Sequence, residues 1–149
     1  MCWKGRITDK KVAEKDITVK KVLDSVCFIR SRYFAPYYKG FEYEIGKVYE
    51  TEITPVEYED RKGWCSISEG FHSYSMKLKI SKSCQGRDVY VVRPNGRILN
   101  FLVGVSPMAV MECVIPKGTV YWENEKGEIV SEKLIVKKEL WYKKKEKYY

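Results

Sequence analysis

The chain contains one histidine, in the run Glu69-Gly70-Phe71-His72-Ser73-Tyr74. Imidazole titrates near neutrality, so His72 is the natural general base or ligand of this sequence. Gly70 permits an unusual backbone angle ahead of a strand-like run. The flanking rings equally describe a packed histidine with a satisfied ring nitrogen. A second cluster, Arg30-Ser31-Arg32-Tyr33-Phe34-Ala35-Pro36-Tyr37-Tyr38-Lys39, offers two guanidinium forks and four rings within ten residues. That composition can clamp a phosphate or a stacked base, and it also describes an amphipathic strand with its loop. The binding candidates are therefore Arg30, Arg32, Phe71, His72, Ser73 and Tyr74, and no catalytic set assembles from spacing alone.

Other chemistry is excluded more firmly. Glu57, Glu59 and Asp60 form an acidic patch before Arg61 and Lys62, but alternate spacing without a histidine is a poor transition-metal site. Cysteines at 2, 27, 65, 84 and 113 are 25, 38, 19 and 29 residues apart, which leaves no Cys-x-x-Cys pair and no zinc-finger spacing. Cys2 would become an N-terminal thiol beside an amine if Met1 were removed, but no partner base is visible. No P-loop, GxGxxG, HExxH, GxSxG or kinase signature occurs, so common NTPases, dinucleotide enzymes and hydrolases lose their ground. Neither a metal nor a cofactor is expected.

Charge is unevenly placed. The net charge is +8, yet residues 1–23 carry +4, residues 133–149 carry +5 and the stretch between them carries −1. A near-neutral body with basic ends is not the footprint of a folded face that grips duplex nucleic acid. The end itself, Lys143-Lys144-Lys145-Glu146-Lys147 among Trp141, Tyr142, Tyr148 and Tyr149, interleaves cations with rings in a way that suits single-stranded nucleic acid or an anionic surface. It is also what a solvated terminus looks like. The longest apolar stretch, Ile98 to Ile115, contains Asn100, Ser106, Pro107 and Glu112, so no membrane span is expected. An odd cysteine count and the absence of a secretory apolar segment after Met1 imply a reducing, cytoplasmic setting with free thiols.

The elements that must position these residues are mostly strands, because β-branched and aromatic residues alternate with polar ones between Gly, Pro and Asn punctuation. Lys47–Ile53 and Met76–Ile80 alternate with period two. Asp88–Arg93 and Arg97–Val103 flank Pro94-Asn95-Gly96, a tripeptide that presets a hairpin turn. Val110–Ile115, Thr119–Trp122 and Leu134–Val136 continue the series, with turns at Pro116-Lys117-Gly118 and Glu125-Lys126-Gly127. Two short helices are expected, one capped by Thr8 or Asp9 through Val12 and Ala13, the other opened by Ser106-Pro107 over Met108–Met111. The fold class is thus α+β, a predominantly antiparallel β sheet with one or two short helices. Aromatic residues at 14% supply enough buried surface for one domain, residues 1–138, with 139–149 as a basic aromatic arm.

Several segments resemble a family of small proteins of gut Bacteroidales and of the phages and mobile elements of that niche. They are Met1-Cys2-Trp3-Lys4-Gly5 with Asp16–Leu23, Pro36-Tyr37-Tyr38 with Tyr43–Tyr49, Gly70–Tyr74, and Glu112–Tyr121 with Ile129–Lys133. The resemblance carries no activity; it implies a phage-associated accessory role. The Gly-Lys-x-Tyr and Gly-Phe-His segments are also similar to the amino-terminal domain of some phage-associated pentapeptide-repeat proteins. In place of the helix-like segment that follows Gly-Phe-His-Ser in the family, this chain has Met76–Ile80. The order of Gly70–Tyr74 before Cys113–Thr119 is similar to ADP-ribosyltransferase folds, which implies an NAD-using enzyme with His72 and Glu132 as the nearest candidates. The expectation is a small cytoplasmic binding or accessory module without catalysis. The alternatives are that ADP-ribosyltransferase-like enzyme and a nucleic-acid-associated accessory protein using Arg30, Arg32 and the basic end. A protein partner recruited at an open strand edge fits the first reading.

Overall fold

A computed structural model describes residues 2–26, 29–35, 41–82, 88–103 and 108–140. Its strands, in chain order, are β1 (Trp3–Arg6), β2 (Lys10–Val12), β3 (Ile17–Val26), β4 (Ile29–Phe34), β5 (Glu42–Tyr43), β6 (Val48–Glu50), β7 (Val56–Glu57), β8 (Trp64–Ile67), β9 (Phe71–Ser75), β10 (Lys79–Lys82), β11 (Asp88–Val92), β12 (Ile98–Val103), β13 (Met108–Ile115), β14 (Val120–Glu123), β15 (Glu128–Ser131) and β16 (Lys133–Glu139). A ten-stranded antiparallel sheet follows the path β2-β14-β15-β9-β3-β13-β16-β6, with β4 against β3 and β5 against β4. Two three-stranded sheets, β1-β8-β7 and β10-β11-β12, complete the fold.

Strand alternation distributes the core between the faces of the large sheet. Val19 and Leu23 of β3, Met111 and Cys113 of β13, Phe71 of β9, Ile129 of β15 and Leu134 and Val136 of β16 pack on one face. Val22, Tyr74, Met108 and Val110 turn to the other face, where the β10-β11-β12 sheet covers them with Ile80, Val89, Val91 and Leu102. Trp122 and Val130 also turn to that face, under Trp3, Cys65 and Ile67 of the β1-β8-β7 sheet. A sheet covered on both faces needs strands without a polar side, and Met108, Ala109, Val110 and Met111 are all buried.

That two-sided burial corrects the second expected helix. Met108–Met111 lie in β13, which pairs with β3 from Met108–Asp24 to Ile115–Ile17; Ser106 and Pro107 lie outside the described residues. The first expected helix is a single 3-10 turn at Ile7–Asp9, where the Asp9 carboxylate accepts the Arg6 N–H at 2.8 Å. The chain then continues extended into β2, paired with β14. The structure is accordingly β-rich and antiparallel, and the 3-10 turn at Ile7–Asp9 is all the helix among the described residues. Met76–Leu78 form a turn, and extended structure resumes at Lys79.

The hairpin at Pro94-Asn95-Gly96 forms as read. Gly96, at φ +86°, donates to the Arg93 carbonyl at 2.9 Å and closes the turn between β11 and β12. At the other end of the chain β16 runs to Glu139, and the Leu140 N–H donates to the Val110 carbonyl at 2.7 Å. The first residue assigned to the basic arm is thus part of the sheet. Residues 141–149 lie outside the described residues.

Candidate functional site

β13 occupies one edge of β3 along residues 17–24, so the two other neighbours of β3 share its opposite edge. β9 pairs there at Val19–Ser75 and Lys20–Tyr74. β4 pairs from Asp24–Phe34 onward. Neither pairing reaches residues 21–23, and the sheet forks at that point. The path β5-β4-β3-β13-β16-β6 also curls back on itself, because only four residues separate Tyr43 from Val48. The Glu44 N–H donates to the Tyr49 hydroxyl at 2.6 Å and the Gly46 N–H to the Val136 carbonyl at 2.8 Å, which fixes that return.

A cavity of about 440 Å³ opens at the fork. Its walls come from Lys21 and Val22 of β3, Phe71, His72 and Tyr74 of β9, Tyr43 of β5, Tyr49 and Glu50 of β6, Leu102 of β12, and the connecting residues Ala35, Phe41, Thr51, Glu69 and Gly70. Lys21 and Val22, which alternate between the two faces of β3, are both in its lining. Phe41, Tyr43, Tyr49 and Phe71 form a continuous aromatic wall. Tyr43 and Tyr49 have ring centroids 5.0 Å apart in an edge-on arrangement, and Phe71 is 6.4 Å from Tyr43. Gly70, at φ +93°, brings β9 in so tightly that a Cβ there would lie 2.5 Å from Ile53 Cδ1.

Two titratable groups define the polar part of the cavity. Lys21 is 7% exposed; its Nζ donates to the His72 carbonyl and sits 5.4 Å from the centre of the Tyr43 ring. Burial lowers its pKa from 10.5 to about 8, against a smaller opposing contribution from Cys113. The His72 Nε2 contacts the Ser68 carbonyl at 3.3 Å. Burial, followed by the Lys21 charge, lowers its pKa from 6.5 to about 4, so the imidazole is neutral at pH 7. Burial also pushes the Cys113 thiol up to about 12, and it stays protonated beside Lys21. No carboxylate is among the groups that shift His72.

The sequence candidates separate in space. Phe71, His72 and Tyr74 line the cavity; Ser73 does not, and its buried hydroxyl has no hydrogen-bond partner among the described residues. The Tyr74 hydroxyl accepts from Asn100 Nδ2 at 2.9 Å. Arg32 is away from the cavity, held bidentately by Glu42 at 2.8 and 3.1 Å. The Arg30 side chain and residues 36–40 lie outside the described residues. Glu132, the other residue of the NAD-enzyme alternative, braces the cavity wall: its Oε2 accepts the Ile53 N–H at 2.9 Å and its carbonyl the Thr51 N–H at 2.8 Å. Among the described residues no group of three or more His, Cys, Asp or Glu is arranged to hold a metal ion, and no helix is long and apolar enough to cross a membrane.

Sequence reading passed over Lys21 and the wall formed by Phe41, Tyr43 and Tyr49. A signal for Lys21 did exist. In Ile17-Thr18-Val19-Lys20-Lys21-Val22-Leu23 two adjacent lysines interrupt an apolar strand, and alternation sends one to each face. In a strand covered on both sides both must then be buried, and they are: Lys20 is 5% exposed, with its Nζ on the Leu78 carbonyl at 2.8 Å. No protein-family profile, curated protein or solved structure matches this chain.

Proposed function

We propose that the protein is a small binding module without chemistry of its own, and that its working part is the aromatic cavity at the fork of the large sheet. The observation that carries this reading is a cavity of about 440 Å³ with an aromatic wall and a buried ammonium. Ligand sites commonly have 300–1,000 Å³, mostly apolar linings and a few fixed polar groups. Binding also fits the state of the imidazole, which is neutral, backbone-bonded and, among the described residues, not hydrogen-bonded to a carboxylate. The NAD-using alternative has less support, because Glu132 is committed to the backbone of Ile53. The nucleic-acid alternative has less support as well, because Arg32 is engaged by Glu42. On this reading the module works in the reducing cytoplasm, with Cys65 and Cys113 as buried thiols, and the family resemblance makes it an accessory of phages or mobile elements.

The test is a saturation-transfer NMR screen of small aromatic compounds against the full chain and its Thr51→Trp variant. Thr51 lines the cavity and is not fully buried, so a tryptophan there obstructs the cavity without replacing a core residue. The expected result is that compounds bind the parent and lose binding in the variant. Binding that is indifferent to Thr51→Trp, or no binding at all, overturns the reading.

A further inference from the structure

Lys21 is a buried cation with no counter-charge among the described residues. Its ammonium has three N–H donors; one goes to the His72 carbonyl, and no carboxylate among the described residues forms an ion pair with it. Buried charges are ordinarily paired, because an unpaired ion removed from water costs several kcal/mol. Lys20, buried to a similar degree on the opposite face, is not in the lining of this cavity; Lys21 is.

The groups packed around Lys21 do not replace an anion. From β13 comes the Cys113 thiol, from β9 the neutral His72 and from β5 the Tyr43 ring, and the Tyr49 phenol shares the lining. The two carboxylates of the lining are engaged elsewhere. Glu50 lies 3.7 Å from Lys133 Nζ, and Glu69 accepts the Thr54 N–H at 3.0 Å. The net charge of +8 draws anions toward the molecule as a whole.

We infer that the ligand of this cavity is an aromatic carboxylate, its ring against the Tyr43, Tyr49 and Phe71 wall and its carboxylate on the Lys21 ammonium. The inference rests on the cavity being a binding site and adds the charge of what it binds. A carboxylate there supplies acceptors for the two spare N–H donors and replaces the hydration that burial removed.

The test compares 2-naphthoate with its neutral isostere 2-naphthamide by isothermal titration of the full chain. At pH 7 the acid is expected to bind roughly tenfold more tightly than the amide, in line with a charge-assisted hydrogen bond. Lys21→Met abolishes the preference and Lys21→Arg retains it, with circular dichroism melts reporting that each variant is folded. For the parent protein, affinity for naphthoate falls as pH rises above about 8, where free Lys21 loses its proton, by about tenfold in all, and levels off near that for the amide, whose affinity stays flat. That pH profile decides the matter even if Lys21→Met does not fold. Equal affinities for acid and amide overturn the inference and leave the cavity reading standing. A preference that persists in Lys21→Met overturns it by placing the anion elsewhere. If neither probe binds, the inference falls together with the cavity reading.

Discussion

Replacing Lys21 by methionine changes the stability of the fold in a way that depends on pH. The lysine pKa falls from 10.5 in the unfolded chain to about 8 in the folded one. At about 1.4 kcal/mol per pH unit, keeping this lysine charged in the interior costs about 3 kcal/mol. Below pH 8 both states hold the proton and the full penalty applies. Between pH 8 and 10.5 the unfolded chain holds one proton more, so stability rises with pH. Lys21→Met removes the penalty but leaves the His72 carbonyl without its donor, a loss of about 1–2 kcal/mol. The variant is therefore more stable than the parent by about 1–2 kcal/mol at pH 7 and less stable by a similar amount at pH 10.5, the two estimates differing by the same 3 kcal/mol. The assay is urea unfolding of both proteins in parallel at pH 7, 8, 9 and 10 with thiols kept reduced. Lys20 and Lys82, whose pKa values burial also lowers, titrate in both proteins and cancel in the difference. A stability difference that stays constant within about 0.5 kcal/mol from pH 7 to 10 refutes the burial of an unpaired charge at this position.

Three further perturbations probe the frame around the cavity. His72 titrates in the folded state near 4 instead of 6.5, so below pH 6.5 the unfolded chain binds the extra proton. Up to about 3 kcal/mol of stability is lost by pH 4, and His72→Gln flattens that part of the acid limb; an unchanged limb contradicts the assignment. Gly70→Ala and Gly118→Ala both impose a side chain at positive φ, but only at Gly70 does the new Cβ meet Ile53 and Val130, at 2.5 and 2.8 Å. Thermal melts are expected to show about 1 kcal/mol lost at Gly118 and at least about twice that at Gly70. Equal losses would mean that β9 is not held tightly against Ile53. Glu132→Ala removes the acceptor of the buried Ile53 N–H and is expected to cost about 1.5–3 kcal/mol, with hydrogen exchange at residue 53 accelerated; unchanged exchange would sink the bracing role.

Local signals in the sequence translated directly into structure where a turn and its strands are contiguous. Pro94-Asn95-Gly96 and its flanking runs specify the β11–β12 hairpin because everything that closes it lies within a few residues. The Met108–Met111 run was ambiguous for a physical reason. A strand buried on both faces has no period-two pattern to display, and Ser-Pro ahead of it imitates a helix start. The Gly-aromatic run at 70–74 was legible as a candidate because it holds the sole imidazole, and three of its side chains do reach the cavity. The cavity as such was not legible. It exists because β9 and β4 leave β3 between residues 20 and 24, and its lining is gathered from positions 21 to 102. Only long-range strand pairing brings Lys21 beside Tyr43, and no window of the sequence contains that pairing.

If a ligand sits at the fork of the large sheet, the single histidine provides a direct reporter. The imidazole Hε1 proton of His72 gives one NMR signal from a residue that lines the cavity. Titration with 2-naphthoate to saturation at pH 7 is predicted to move that signal through the ring current of the bound naphthalene, and Thr51→Trp is predicted to abolish the movement. A signal that stays in place while naphthoate saturates the protein would contradict the account.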